Sequence, residues 1–242
     1  MRILWVALFW VTLMAAPASA CRQALVFALD VSGSVNGVEY QQQVTGLAAA
    51  LSDPTIRDII LSDTVHPVEI AVFEWSSQNH QLIILPWTPL DSHGAIDQAV
   101  ARIGAHRKVR AGLKTALGTA LGFAQGLLQQ RPACWQHTID VSGDGRGNVG
   151  PAPRSVYAAG FERTTVNALV VGNPQAETGD GPGITPLALQ LYYEREVILG
   201  PGAFSMVAQG YADYARAMRR KLARELQPLN LSGEMDVEAA PG

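Results

Sequence analysis

Residues 24–40 read ALVFALDVSGSVNGVEY. The first six are uninterrupted apolar residues, the pattern of a strand buried on both faces. Asp30 ends the run, and Ser32, Gly33 and Ser34 follow in a short polar turn. Asn36 then stands where a helix N-cap is wanted, and Val44, Leu47, Ala48 and Leu51 recur at helical spacing over 38–51. Buried strand, polar turn and helix in that order make the opening of a βαβ unit. Such a unit needs a parallel partner strand farther along the chain.

The chain beyond residue 40 supplies those partners. Segments 68–75 and 81–85 read as two strands around the turn Ser76-Ser77-Gln78-Asn79-His80, hence a hairpin. Helices are predicted over 92–103, 115–130, 154–159 and 186–197, and strands over 137–141, 165–171 and 204–208. A last helix over 211–226 places Tyr214, Met218, Leu222 and Leu226 on one stripe, with Arg216, Arg219, Arg220 and Arg224 elsewhere. Strands alternating with helices imply an α/β fold, a doubly wound and mostly parallel sheet with helices on both faces, to which the hairpin adds one antiparallel strand. No internal repeat or linker divides it.

The charge balance, 18 basic against 21 acidic residues, excludes a nucleic-acid binder that works by bulk positive charge. Part of the hydrophobicity belongs to a leader rather than to the fold. Residues 1–20 have a positive start at Arg2, an apolar run over 3–14 too short to span a bilayer, and the small residues Ala18-Ser19-Ala20 before Cys21. They predict a secretory signal peptide, a domain over 21–226, and an exported product, periplasmic or secreted, without a transmembrane segment. A lipid anchor on Cys21 is the weaker alternative, because Ala18 stands where lipoprotein leaders usually carry Leu. Residues 227–242 lack either periodicity and read as a flexible acidic tail.

In a doubly wound sheet ligands sit at the carboxyl ends of the strands. The residues placed there are Asp30, Ser32 and Ser34 after the first strand, Thr115 in GLKTALGTAL at 112–121, and Asp144 in SGDG at 142–145. Two carboxylates and three hydroxyls are hard oxygen donors, suited to Mg²⁺ or Mn²⁺, less well to Ca²⁺, and not to zinc. Taken singly, each has a plainer reading: Ser32, Ser34 or Thr115 as a helix cap, Asp144-Gly145 as a turn. Their joint placement at strand ends favours the metal.

These elements resemble the Asp-x-Ser-x-Ser, Thr and Asp elements of the metal-ion-dependent adhesion site in von Willebrand factor type A domains. The stretches ALDVSGSVNGVEY, IDVSGDGRGN, YYEREVILGPGAF and RRKLARE are more closely similar to an uncharacterised family of exported bacterial proteins within that superfamily. The resemblance implies a six-stranded sheet in the order 3-2-1-4-5-6 with the third strand antiparallel, and a Mg²⁺-type site. It implies direct or water-mediated metal contacts from Asp30, Ser32 and Ser34, with Thr115 completing the site and Asp144 acting mainly through water. It also implies binding of another protein through an acidic residue rather than catalysis. Lys114, before Thr115, departs from the Gly-Leu-Thr common in that family, and its ammonium could either repel the cation or hold an acidic ligand. The basic run with Arg107, Lys108 and Arg110 has the composition of a solvated loop, but its place before Thr115 makes it, with Lys114, a candidate ligand rim.

Enzyme readings fare worse on the same residues. Asp30 as a phosphorylated nucleophile of the haloacid-dehalogenase kind wants a second Asp two residues later, where Ser32 stands. Gly145-x-Gly147-x-x-Gly150 fits a dinucleotide fingerprint but follows the wrong strand, and Asp144 would face the pyrophosphate. There is no Gly-x-Ser-x-Gly, and the five histidines, 66, 80, 93, 106 and 137, show no ligand-spaced pair. A Mg²⁺-dependent phosphohydrolase remains the enzyme alternative. It lacks an identifiable base or nucleophile.

Cys21 lies nine residues before Asp30, and Cys134 lies ten before Asp144. If the two acids meet at the carboxyl ends of neighbouring parallel strands, the two cysteines meet at the amino ends, and a Cys21–Cys134 disulfide follows in an oxidising compartment. The alternative is a buried Cys134 thiol and a free or lipidated Cys21.

Overall fold

The computed structural model describes residues 20–109, 111–158, 160–173 and 184–227. Most of the leader, the tail beyond Gln227 and the rim residue Arg110 lie outside them.

The strands are β1 (Gln23–Asp30), β2 (Val68–Trp75), β3 (Gln81–Pro89), β4 (Gln136–Gly143), β5 (Thr164–Val171) and β6 (Ser205–Ala208). They form one sheet in the order β3-β2-β1-β4-β5-β6, parallel except for the antiparallel β2–β3 pair. The helices are α1 (Gly37–Ser52), α2 (Pro54–Leu61), α3 (His93–Ala105), α4 (Leu117–Leu128), α5 (Pro153–Val156), α6 (Pro186–Glu196) and α7 (Tyr214–Glu225). The fold is the doubly wound α/β class expected, with strand order and the antiparallel edge as the resemblance implies.

Alternation along β1 explains the two layers. Leu25, Phe27 and Leu29 pack into one core with α1, α2, α3 and α7, while Ala24, Val26 and Ala28 face the other with α4 and α6. The second face is lined by small residues on both sides, Ala24 and Ala28 against Ala120 and Ala124, so α4 can lie close to the sheet. The tyrosine of the α7 stripe and its partners Met218, Leu222 and Leu226 are all buried, as their spacing requires.

Several elements depart from the sequence reading, three of them instructively. Helix α2 was not expected, although Asp53 caps it through the Thr55 N–H, Pro54 opens it, and Ile56 and Ile60 are buried one turn apart. Strand β3 runs on to Pro89, past Pro86, which an edge strand tolerates because one side needs no donors. Helix α4 starts at Leu117 rather than Thr115.

At the amino ends of β1 and β4, which pair directly, Cys21 and Cys134 form a disulfide with their Cα atoms 4.4 Å apart. The Trp135 N–H donates to the Cys21 carbonyl beside it. No helix among the described residues is long and apolar enough to cross a membrane.

Candidate functional site

Asp30 is the last residue of β1, paired with Trp75 of β2, and its side chain is wholly buried. Its Oδ1 accepts the Ser32 N–H at 2.7 Å, whereas its buried Oδ2 has no hydrogen-bond partner. Gln43 of α1 holds the strand exit by donating to the Asp30 carbonyl at 2.9 Å. The Ser32 and Ser34 hydroxyls lie 3.3 Å apart, and Ser34 donates to Asp144 Oδ1 at 2.6 Å. The loops after β1 and β4 therefore meet at one point.

The hydroxyls are not used as helix caps. Asn36 caps α1, its Oδ1 accepting the Val38 and Glu39 N–H groups while its own N–H donates to Glu39. The cap position of α4 is Ala116, which has no side-chain bond, so Thr115 is not needed there. Ser32 and Thr115 are buried, and Ser34 is exposed.

Thr115 is brought alongside by two clamps. The Gly33 N–H donates to the Leu113 carbonyl, and a Cβ on Gly33 would stand 2.9 Å from that oxygen, so the two loops touch at a position where only glycine fits. On the other side the Thr115 N–H donates to Asn148 Oδ1 at 2.9 Å, and the Asn148 N–H returns to the Thr115 carbonyl at 2.9 Å. The β2–β3 turn adds a third support. Ser76 accepts the Gly112 N–H on its hydroxyl and the Ala116 N–H on its carbonyl, and the Ser77 hydroxyl accepts the Lys114 N–H.

Electrostatically the pair is unfavourable as two bare anions. Burial, then the charge of Asp144, pushes Asp30 up to about 7. Burial also raises Asp144, opposed by the Ser34 hydrogen bond. Gly143 reflects the crowding: a Cβ there would lie 2.5 Å from the Tyr193 hydroxyl and 3.2 Å from Asp30 Oδ2. Tyr193 is a core residue, and its hydroxyl also donates to the Gly145 carbonyl.

The basic rim divides. Lys108 donates through Nζ to the Val35 carbonyl in the β1 loop, and its charge favours ionised Asp30. Arg107 turns back onto the last carbonyls of α3, from Gly104 to His106, and so is occupied away from the site. Lys114 is exposed.

Asn148, Ser76, Ser77 and the cluster on Glu74 were not singled out from sequence. Buried Glu74 at the end of β2 accepts from Tyr40 at 2.6 Å and lies 2.9 Å from His80 Nε2, and His106 Nδ1 lies 2.7 Å from the Tyr40 hydroxyl. Two histidines 26 residues apart in sequence thus converge on one carboxylate, which no local spacing announces. Among the described residues the one group of three His, Cys, Asp or Glu side chains close enough to share an ion is Cys21, Glu69 and Cys134, and the disulfide occupies both its sulfurs. The carboxyl-end site differs in kind, with two acids and hydroxyls for the rest. The loop holding Gly145, Gly147 and Gly150 leads only to the four-residue α5, so the dinucleotide pattern there has no helix N-terminus to serve.

Solved structures similar to this one share its fold at low identity. The proximal thread matrix protein 1 of the mussel byssus, described with a zinc-occupied MIDAS motif, matches with a TM-score of 0.58 and 16% identity over 87% of this chain and 49% of its own. A von Willebrand factor type A protein from Catenulispora acidiphila matches with a TM-score of 0.56 and 15% identity over 85% and 43% respectively. BatB from Bacteroides thetaiotaomicron matches with a TM-score of 0.51 and 16% identity over 83% of this chain and 98% of its own. The chain thus spans about half the length of the first two. A search of curated protein sequences finds no match. The fold is that of von Willebrand factor type A domains, and over residues 20–230 the sequence matches the model of the family described as "Protein of unknown function (DUF1194)", to which the chain therefore belongs.

Proposed function

We propose that this protein is an exported interaction module that holds a divalent cation between Asp30 and Asp144 and through it binds an acidic residue of another protein. The observation that carries the reading is Asp30 Oδ2, a buried carboxylate oxygen without a partner beside a second carboxylate. Such an arrangement is costly in itself and becomes favourable when a cation balances the charge. Asp30, Ser32, Ser34 and Thr115 would hold the ion, with Asp144 next to it or one water removed. The all-oxygen donor set suits Mg²⁺ and Mn²⁺, and Ca²⁺ less well. The bound ion supplies a positive, Lewis-acidic position that accepts a partner's carboxylate oxygen. Lys108, fixed on the Val35 carbonyl, adds positive charge at the same face.

Export rests on the leader over 1–20 and on the Cys21–Cys134 disulfide, which suits an oxidising compartment. The family match beginning at residue 20 agrees with a mature chain starting at Cys21.

The test is capture of an envelope protein from the exporting cell by immobilised wild type in Mg²⁺, repeated with chelator and with Asp30→Ala. Chelator-sensitive capture lost in the variant is the expected result. Metal-dependent turnover of phosphate esters, lost in both Asp30→Ala and Asp144→Ala, would replace binding with the phosphohydrolase reading.

A further inference from the structure

A cavity of about 450 Å³ lies between the loop after β4 and the end of α6, lined among others by Arg146, Asn148, Tyr192, Arg195 and Glu196. The Arg146 guanidinium lies 5.4 Å from the centre of the Tyr192 ring, and the Tyr192 hydroxyl accepts the Gly147 N–H at 3.2 Å. The ring thus packs against the arginine and the loop that bears it. Among the described residues Arg146 pairs with no carboxylate. Arg195 contacts Glu196 through Nε at 2.9 Å, and its side chain is 78% exposed, which leaves the outer edge of its guanidinium free. Arg154, the third arginine nearby, is occupied with the Arg195 carbonyl. In a chain of net charge −3, two arginines against one glutamate make a local positive pocket.

The pocket and the metal site share one loop. Asn148 lines the cavity and makes the paired hydrogen bonds to Thr115, while Asp144 stands four residues earlier in the same loop. Arg146, two residues after Asp144, is therefore carried by the same loop as the cation site and is available to a chain that places one carboxylate on the cation. Planar guanidinium forks match a carboxylate bidentately, and Arg146, unpaired with any carboxylate among the described residues, together with the free edge of Arg195 is suited to receive one. We infer that this cavity takes a second carboxylate of the same partner, so that the recognised element is a segment with two acidic side chains rather than a lone acid. The inference rests on the metal-binding reading above and adds to it a determinant of partner choice.

The probes are dye-labelled Gly/Ser peptides carrying either one Glu or two Glu separated by one, two or three Gly, titrated against the full mature chain in saturating Mn²⁺. The best two-Glu peptide should bind about tenfold tighter than the one-Glu peptide, the size of one hydrogen-bonded charge pair. The double variant R146A/R195A should reduce it to the one-Glu level while Mn²⁺ affinity, read by calorimetry, is unchanged. Equal binding of one- and two-Glu peptides to wild type, no effect of the double variant, or no binding of any peptide would overturn the pocket. The metal reading is scored separately: if it holds, chelator and Asp30→Ala abolish Mn²⁺ binding whatever the arginine variants do, and if Asp30→Ala leaves Mn²⁺ binding intact, that reading fails on its own.

Discussion

The hydroxyl of Ser34 donates to Oδ1 of Asp144 at 2.6 Å, across 110 residues of sequence. This bond ties the loop after β1 to the loop after β4 at the carboxyl edge of the sheet. It also stabilises the ionised form of Asp144 against the burial that raises it. Ser34→Ala should weaken Mn²⁺ binding about tenfold, as loss of a ligand-orienting contact does, and lower the stability of the metal-free chain by about 1 kcal/mol or less. Calorimetry and thermal melts read the two effects, and unchanged Mn²⁺ affinity would remove Ser34 from the site.

Among the proposed ligands Asn148 hydrogen-bonds Thr115, through two bonds to its main chain and a longer one, 3.5 Å, from the Asn148 amide to the Thr115 hydroxyl. Asn148→Ala should lower Mn²⁺ affinity about 10-fold to 100-fold through a displaced Thr115. Asn148→Asp keeps the acceptor for the Thr115 N–H and should recover part of the loss. Equal affinities in all three proteins would show that Thr115 needs no such clamp.

A second buried charge cluster lies on α7. Lys221 Nζ is 2.7 Å from Asp140 Oδ2 and 3.0 Å from Glu225 Oε1, with Lys221 and Asp140 wholly buried. Two acids share one ammonium, and burial, only partly offset by Lys221, pushes Asp140 up to about 8. Its folded value lies above its ordinary 3.8, so the stability associated with the protonated carboxyl is complete below about 4 and is lost as pH rises through about 8. The melting temperature of wild type should therefore fall, relative to Asp140→Asn, between about pH 4 and about pH 8. Parallel curves for the two proteins would mean that Asp140 is ionised throughout.

The disulfide closes a loop of 113 residues at the end of the sheet opposite the site. On the chain-entropy model its reduction should cost up to ~4.7 kcal/mol, and the Cys21→Ser, Cys134→Ser double variant a similar amount. Denaturant midpoints with and without reductant measure this. An identical midpoint for oxidised and reduced protein would show that the bridge adds no stability.

What could be read from sequence followed from local chemistry. The apolar run of β1, the Asn36 cap and the nearly equal spacings, nine and ten residues, from each cysteine to its acid are each read within a short stretch of chain, and they placed the strand, the helix and the disulfide. The misses have a different origin. Glu74 collects Tyr40, His80 and His106 from three elements, and Asn148 reaches Thr115 across 33 residues, so only the folded chain brings them together. Lys221 and Glu225 sit among the charged residues of α7 and look solvated in sequence, yet the folded chain buries them against Asp140 of β4. Helix α2 is the exception, because Asp53-Pro54 and the Ile56, Ile60 pair were visible and short enough to pass over.

The central claim is that Asp30 and Asp144 hold a divalent cation, and titration of the mature chain with Mn²⁺ by calorimetry, wild type beside Asp30→Ala, tests it most directly. Wild type should bind one ion. Asp30→Ala should bind none, while its metal-free melting temperature is unchanged or higher, because removing the buried carboxylate relieves its repulsion with Asp144. Mn²⁺ binding of equal affinity in both proteins would contradict the account.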